Sequence, residues 1–363
     1  MRAMQGERTM NIRNHDATSY IIQSAGALTF VPLQYDLFYD LMGMVGFLAS
    51  TFVSLFYEGI KEGKPLVSIL ESLSTRHLLL NGAAVVWSLR LGVFLFSRAI
   101  KLGGDSRLEE IKRQPLRFAT VWFMQGTWTF LVGLPLYLTN LLCTPSSQAP
   151  IGKKDYIPLG LFTSSLFLEI LADYQKSKWR DRRDKKKHNE RFISSGIWRW
   201  SRHPNYIGEI GIWMGIWALS ASALQHSAYP RLGPALAAAS PLFTWHLLTN
   251  VSGIPLLEKH AKKTFGDDPK YKDYARSFIV AMELPIIKAK KHSLDSQINY
   301  GTTGILDPKK RIYFDKATYP DVRLVLESTK ELIALQDKPF HTDQFRNSEK
   351  EEETCLFGES RYQ

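Results

Sequence analysis

The stretch Ser195–Gly215, SGIWRWSRHPNYIGEIGIWMG, runs from a basic, aromatic, Pro-broken loop into an apolar helix punctuated by glycine. Pro204 is tolerated in the first turn of a helix, and Asn205 suits a helix start. Trp198, Arg202, His203, Asn205, Tyr206 and Glu209 fall within twelve residues beside apolar sequence. Polar groups that dense are costly to bury unless they bind something. The stretch therefore reads as a membrane boundary where an anionic cofactor is held.

Working outward, apolar runs of the length a spanning helix needs, about 20 residues, occur repeatedly. They cover residues 38–57, 78–96, 118–142, 157–172, 207–224 and 233–257. Pro241 and Pro255 kink the last run or mark its ends. A weaker run over 17–35 is interrupted by Gln23, Pro32 and Gln34, and either spans or lies on the surface. The expected fold is all-α: a polytopic membrane bundle of six to seven transmembrane helices. Residues 1–36 form a polar N-terminal segment, 37–287 the membrane domain, and 288–363 a polar cytosolic tail, partly disordered.

Charge follows the same division. The chain carries +11 overall, but the tail holds 13 basic and 13 acidic residues, so the whole excess lies before Lys288. The mean hydropathy of −0.16 averages these two unlike regions. Loop 98–117 carries six basic residues and loop 174–206 eleven, whereas loops 58–77, 143–156 and 225–232 carry three, two and one. By the positive-inside rule the two basic loops and the C-terminus are cytosolic. In the tail, Arg323–Leu335 reads as one amphipathic helix and Glu349–Glu353 as solvated chain. Basic charge between apolar runs points to anionic lipid, a phosphate-bearing cofactor or topology signals. No nucleic-acid-binding motif accompanies it. The two cysteines, Cys143 and Cys355, give neither a disulfide framework nor a metal-ligand spacing.

Four clusters carry candidate chemistry. If the fourth apolar run continues as helix, Asp173, Lys176 and Arg180 share one face, and the two cations suit phosphates; the bland alternative is a juxtamembrane cluster for lipid headgroups. Trp198 and Tyr206 have rings that can stack on a nicotinamide or adenine, and Asn205 can hydrogen-bond a carboxamide; the alternatives are an aromatic belt and a helix cap. Glu209, one turn on, is an intramembrane carboxylate and so a functional candidate, while Gly211 and Gly215 have the spacing of a helix–helix contact. Glu258 either pairs with Lys262 one turn later or holds ribose hydroxyls, with Tyr274 closing over the cofactor. Trp87, Arg90, Phe94 and Arg98 trace one helical face, and Arg90 inside a span needs a partner such as Glu58 or Glu169. Gln125 is a similar, weaker candidate.

These clusters resemble the membrane superfamily of steroid 5-alpha-reductases and sterol C14 and delta-7 reductases, and within it the branch known as DUF1295. The resemblance covers about residues 80–280 and rests on VVWSLRLG, the RxxxxGGDSR segment, ADYQKSKWR, SGIWRWSRHPNYIGE and VSGIPLLEKHAKK. It implies an NADPH site at Lys176, Arg180, Trp198, His203, Asn205, Tyr206, Glu258 and Tyr274, with Asp173 beside the cations. Glu258 stands where relatives often have Asp, and the spacing to Tyr274 is stretched. The implied chemistry is reduction of a carbon–carbon double bond in a steroid, sterol or other lipid-like enone. The Gln-Glu pair that holds the substrate carbonyl in 5-alpha-reductases is not found; Tyr57-Glu58 stands in the early spans instead. Tyr206 and Glu209 are the candidate proton donors. The implied partners are a lipid-like substrate and membrane lipids rather than nucleic acid, and the implied location is the endoplasmic reticulum. Two other readings stay open: an S-adenosylmethionine-dependent methyltransferase of the isoprenylcysteine type, which shares the HPNYxGE element, and a non-catalytic membrane scaffold.

Overall fold

The computed structural model describes residues 17–105, 107–143 and 150–276, all within the unit Met1–Lys290. The described residues are helical throughout, without strand. The tail features Arg323–Leu335 and Glu349–Glu353 lie outside them. Helix α1 covers 17–30. It is followed by α2 (Tyr39–Lys61), α3 (Leu66–Ser72), α4 (Thr75–Leu102), α5 (Pro115–Leu142), α6 (Tyr156–Asp184) and α7 (Pro204–Leu224). The shorter α8 (Leu232–Ala237), α9 (Ala239–His246), α10 (Ile254–Phe265) and α11 (Pro269–Arg276) complete the described chain.

Local signals set these boundaries. Ser74 caps α4 by accepting from the His77 N–H at 3.3 Å, and Gly103 ends the helix at φ +75°, a conformation glycine adopts freely. Pro115 and Pro204 occupy the first turns of α5 and α7, where a missing N–H costs nothing.

Among the described residues, four helical stretches are long and apolar enough to cross a membrane: Tyr39–Lys61, Thr75–Leu102, Lys153–Asp184 and Pro204–Leu224. Helix α5 is as long as α4, but Gln125, Pro135 and Asn140 dilute its apolar character. The sixth run does not form one helix. A π-turn at Leu247–Val251 and the unusual backbone of Gly253 separate α9 from α10, and Pro255 cannot continue the preceding hydrogen-bond ladder. Helix α1, about 21 Å long by its residue count, is shorter than a span and packs on α2 and α5. Its Gln23 Nε2 donates to the Met42 carbonyl at 2.9 Å, and the Tyr20 and Thr127 hydroxyls meet at 2.9 Å.

The most extensive helix pairing is α6 on α7. Gly208, Gly211 and Gly215 lie on one face of α7 and meet Glu169, Ser165 and Phe162 of α6. A Cβ at Gly215 would stand 2.8 Å from the Phe162 nitrogen and 2.9 Å from the Pro158 oxygen, and one at Gly208 would stand 2.8 Å from the Ser165 carbonyl. Those neighbours are backbone and cannot rotate away. The helix-contact reading of Gly211 and Gly215 is thus what the packing shows, extended by Gly208. Around this seam Phe47, Trp87 and Trp213 are almost fully buried, with Trp87 and Trp213 edge to face at 4.7 Å. At one end of the bundle Arg76 binds both Asp155 oxygens, at 2.5 and 2.9 Å. Ser222 of α7 donates to the same carboxylate at 3.0 Å.

Gly215→Ala should therefore lower the melting temperature of the detergent-solubilised protein, at a cost of about 1–3 kcal/mol. Gly160→Ala on α6, where a Cβ meets nothing within 4 Å, should leave it unchanged or raise it slightly. Thermal unfolding followed by size exclusion measures both; equal losses in the two variants would refute the backbone seam.

Candidate functional site

The end of the bundle opposite Arg76 collects most of the singled-out residues. Helix α4 presents Trp87, Arg90, Phe94 and Arg98 along one side, and Arg90 reaches α6. Its Nη1 donates to Glu169 Oε1 and its Nη2 to Asp173 Oδ2, both at 2.5 Å. Of the two expected partners for Arg90, Glu169 is the one used; Glu58 is exposed near the far end of α2. Asp173, grouped on the sequence with the cofactor cations, is instead committed to Arg90. Buried charges survive in pairs, and this one ties α4 to α6 beside the glycine seam.

Beyond it lie three cations without such a partner. Lys176 and Arg180 on α6 and Arg98 on α4 are half-buried and close enough to influence one another. Among the described residues none has a carboxylate within 4 Å. Lys176 instead sits 4.5 Å above the Trp198 ring, a cation–π contact. Trp198 is only 3% exposed and its indole donates to the Ala172 carbonyl at 3.1 Å. The ring is thus a platform under Lys176, and the structure brings Trp198 beside the cation expected to share its site. Arg98, read on the sequence as part of the Trp87–Arg90–Phe94–Arg98 face, is brought by the packing of α4 on α6 beside Lys176 and Arg180, a grouping that spacing along one helix does not give.

Helix α7 enters this end with Asn205 and Tyr206 still open. The Asn205 amide and the Tyr206 hydroxyl make no side-chain hydrogen bond among the described residues. Arg98 and Arg107 lie within electrostatic range of the Tyr206 phenol. His203 is taken: its ring stacks on Tyr206 at 5.7 Å, and Nε2 bonds Glu258 Oε1 at 2.8 Å. Glu209 receives two indole N–H groups, from Trp87 at 2.9 Å and from Trp213 at 3.0 Å. Both of its oxygens act as acceptors.

The third cluster folds differently from expectation. Glu258 does not pair with Lys262; it accepts from Arg202 at 2.5 Å and from His203. Tyr274 does not lie open for a cofactor either, because its hydroxyl donates to the Trp198 carbonyl at 2.7 Å and its ring stacks on Phe192. Glu258 and Tyr274 thus hold α10 and α11 against the 192–206 loop and position Trp198 and His203. Burial pushes the Tyr274 phenol up to about 12, against the opposing charge of Arg202. Burial also raises the Glu258 carboxyl, but the His203 hydrogen bond and the Arg202 charge outweigh it and hold the group below its ordinary 4.5.

Next to this constellation lies a cavity of about 400 Å³, within the range of small-molecule sites. Met44, Phe47, Trp87 and Trp128 give it apolar walls, with Asp40 and Arg107 at its charged end. Trp87 joins the two regions, since the ring that lines the cavity also holds Glu209. Gln125, a weaker candidate, donates to the Tyr39 carbonyl at 2.8 Å and fastens α5 to α2. The 103–112 segment is pinned by Asp36, which accepts from the Asp105 N–H at 2.6 Å and pairs with Lys112 at 3.2 Å.

The lowered pKa of Glu258 implies a pH dependence. Its contribution to stability is complete above the unfolded-state value near 4.5 and fades as pH falls through the lowered folded-state value. Glu258→Gln should cost about 1 kcal/mol near neutrality, read as a fall in melting temperature. The gap from the parent protein should close as the medium is acidified below 4.5; a gap that stays constant would mean the carboxylate charge is irrelevant to the clamp.

A family model described as "Protein of unknown function (DUF1295)" matches residues 35–278. A Schizosaccharomyces pombe protein described as "Uncharacterized protein C594.04c" is 29% identical over 111 residues, covering 26% of this chain and 31% of that protein. The chain thus spans about a third of that relative. No solved structure matches. The match over 35–278 takes in α2 to α11 and every residue of the constellation above, and the chain belongs to the DUF1295 family.

Proposed function

We propose that this protein is a membrane oxidoreductase that uses NADPH to reduce a carbon–carbon double bond in a steroid, sterol or other lipid-like enone. The observation that carries the reading is the trio Arg98, Lys176 and Arg180: half-buried cations left without carboxylates while nearby Arg90 has two. An uncompensated cluster of this kind fits the phosphates of a dinucleotide, and two guanidiniums can each grip a phosphate through paired N–H donors. Adenosylmethionine has no phosphates, which sets the methyltransferase reading behind. The open Asn205 amide suits the carboxamide of a nicotinamide, and the apolar cavity beside Trp87 suits the body of a lipid.

Bound here, NADPH supplies a hydride to one carbon of the double bond. The chain's own residues do the rest. Lys176, set by Trp198, and Arg180 with Arg98 hold the phosphates. Tyr206, held by the stacked His203 ring, gives its phenolic proton to the other carbon or to the conjugated oxygen. Of the two candidate donors Tyr206 is preferred, because the Glu209 oxygens are occupied by indole N–H groups. Arg107, at the junction of cavity and phenol, stabilises negative charge that develops on the substrate oxygen. The superfamily resemblance supports the endoplasmic reticulum as the location, and the basic loops support an orientation with this end and the C-terminus facing the cytosol.

Purified protein should bind NADPH, and Lys176→Ala/Arg180→Ala should weaken that binding by about a hundredfold, as expected for the loss of two charged phosphate contacts. Tyr206→Phe should leave cofactor binding intact and lower turnover of an enone substrate by roughly 10²–10⁴. Binding of adenosylmethionine in place of NADPH, or NADPH binding indifferent to the double variant, would overturn the reductase reading. A scaffold would bind neither.

A further inference from the structure

A second basic site lies on the other side of the clamp, where α10 and α11 meet the start of α7. Arg202, Glu258, Lys259, Lys262, Tyr271 and Lys272 line a cup of about 470 Å³. Lys259 and Lys262 are three apart on α10 and so share a face; Lys272 faces them from α11 across the Gly266–Asp268 turn. The one carboxylate in the wall, Glu258, is already matched by Arg202 and His203. None of the three lysines has a carboxylate within 4 Å among the described residues, and the pairing expected between Lys262 and Glu258 does not form. Arg202 keeps a buried Nε without a hydrogen-bond partner. Three uncompensated ammonium groups around one concavity call for a ligand of several negative charges.

The surroundings identify where that ligand comes from. Arg202 stands two residues before the first residue of α7, a helix long and apolar enough to cross a membrane, so the cup sits at the height of a bilayer surface. Trp200 is 82% exposed, Leu256 51% and Leu257 38%. An exposed indole and two leucines beside a lysine cup are the furniture of an interface helix, in which apolar side chains enter lipid while cations meet headgroups. We propose that this cup binds the headgroup of a polyanionic membrane lipid, a phosphorylated phosphatidylinositol, apart from the cofactor cations Arg98, Lys176 and Arg180. The proposal does not depend on the reductase reading.

The test uses the full chain in detergent micelles. A short-chain phosphatidylinositol bisphosphate should bind about tenfold or more tightly than short-chain phosphatidylserine, as expected for a headgroup of higher charge. It should also bind more tightly than free inositol trisphosphate, which lacks acyl chains. Lys259→Gln/Lys262→Gln/Lys272→Gln, all exposed positions, should abolish this preference while leaving melting temperature and NADPH binding unchanged. Lys185→Gln/Lys186→Gln/Lys187→Gln, in the exposed run after α6, should preserve it. Four results would each overturn the proposal: equal binding of the two lipids, equal binding of the free inositol phosphate, an equal loss in the Lys185–Lys187 variant, or displacement of the lipid by NADPH. The last would make the cup part of the cofactor site.

Discussion

The close approach of α6 and α7 is the constraint on which the site depends. Where Gly208 and Gly215 face α6 the two backbones come within van der Waals contact, and at Gly211 the space is taken by the Ser165 side chain, so none of the three positions has room for a Cβ without displacement. Helices that near bring Glu169 against the first turns of α7 and fix how far Asn205 and Tyr206 stand from Lys176. In a membrane, where apolar side chains gain little from leaving lipid, small-residue contacts of this kind do much of the work of association. The seam also explains why Arg90 is needed: two carboxylates, Glu169 and Asp173, are brought beside an apolar interface, and a guanidinium from α4 answers both.

Charge at this end is sorted by compensation. Arg90, Arg202 and Lys112 have carboxylate partners; Arg98, Lys176 and Arg180 do not. Coulomb energy in a half-buried setting is several times that in water, so leaving like charges together unpaired destabilises the unliganded protein, and binding of an anion removes that penalty. The same logic separates the two carboxylates of α7 and α10. Glu209 is held by two neutral indoles and Glu258 by an arginine and a histidine, so one tunes the interior near the cavity while the other clamps the surface.

The all-helical character and four membrane-length helices were legible along the chain, as were some contacts of the candidate site, for reasons particular residues make plain. The apolar runs of α2, α4, α6 and α7 are long and poor in charge, and the Gly211–Gly215 spacing states a helix contact by itself. Lys176 and Arg180 are four apart on a helix, so their shared face follows from spacing. The contacts of Trp198, Glu258 and Tyr274, with Ala172, with Arg202 and His203, and with the Trp198 carbonyl, do not, because they are set by how loops cross. Local spacing carries no information about such crossings. The sixth apolar run was long enough to span, but hydropathy cannot register the backbone break between Leu247 and Gly253. The Trp213 contact to Glu209, by contrast, is an i+4 pair that spacing alone could have supplied.

The Arg76–Asp155–Ser222 lock, at the end far from the site, has a mechanical meaning. It fastens the foot of α6 to α4 and α7 with a salt bridge and a hydroxyl shielded from solvent, leaving little play there. Lys176 lies 21 residues along α6 from Asp155, so a tilt of about 5° about that foot carries its backbone by roughly 3 Å at a rise of about 1.5 Å per residue. Arg90 holds Glu169 and Asp173 toward the other end of the helix, with Asp173 within one turn of Lys176, so α6 is braced at both ends and the place of its half-buried cations is set by two ion pairs rather than by one.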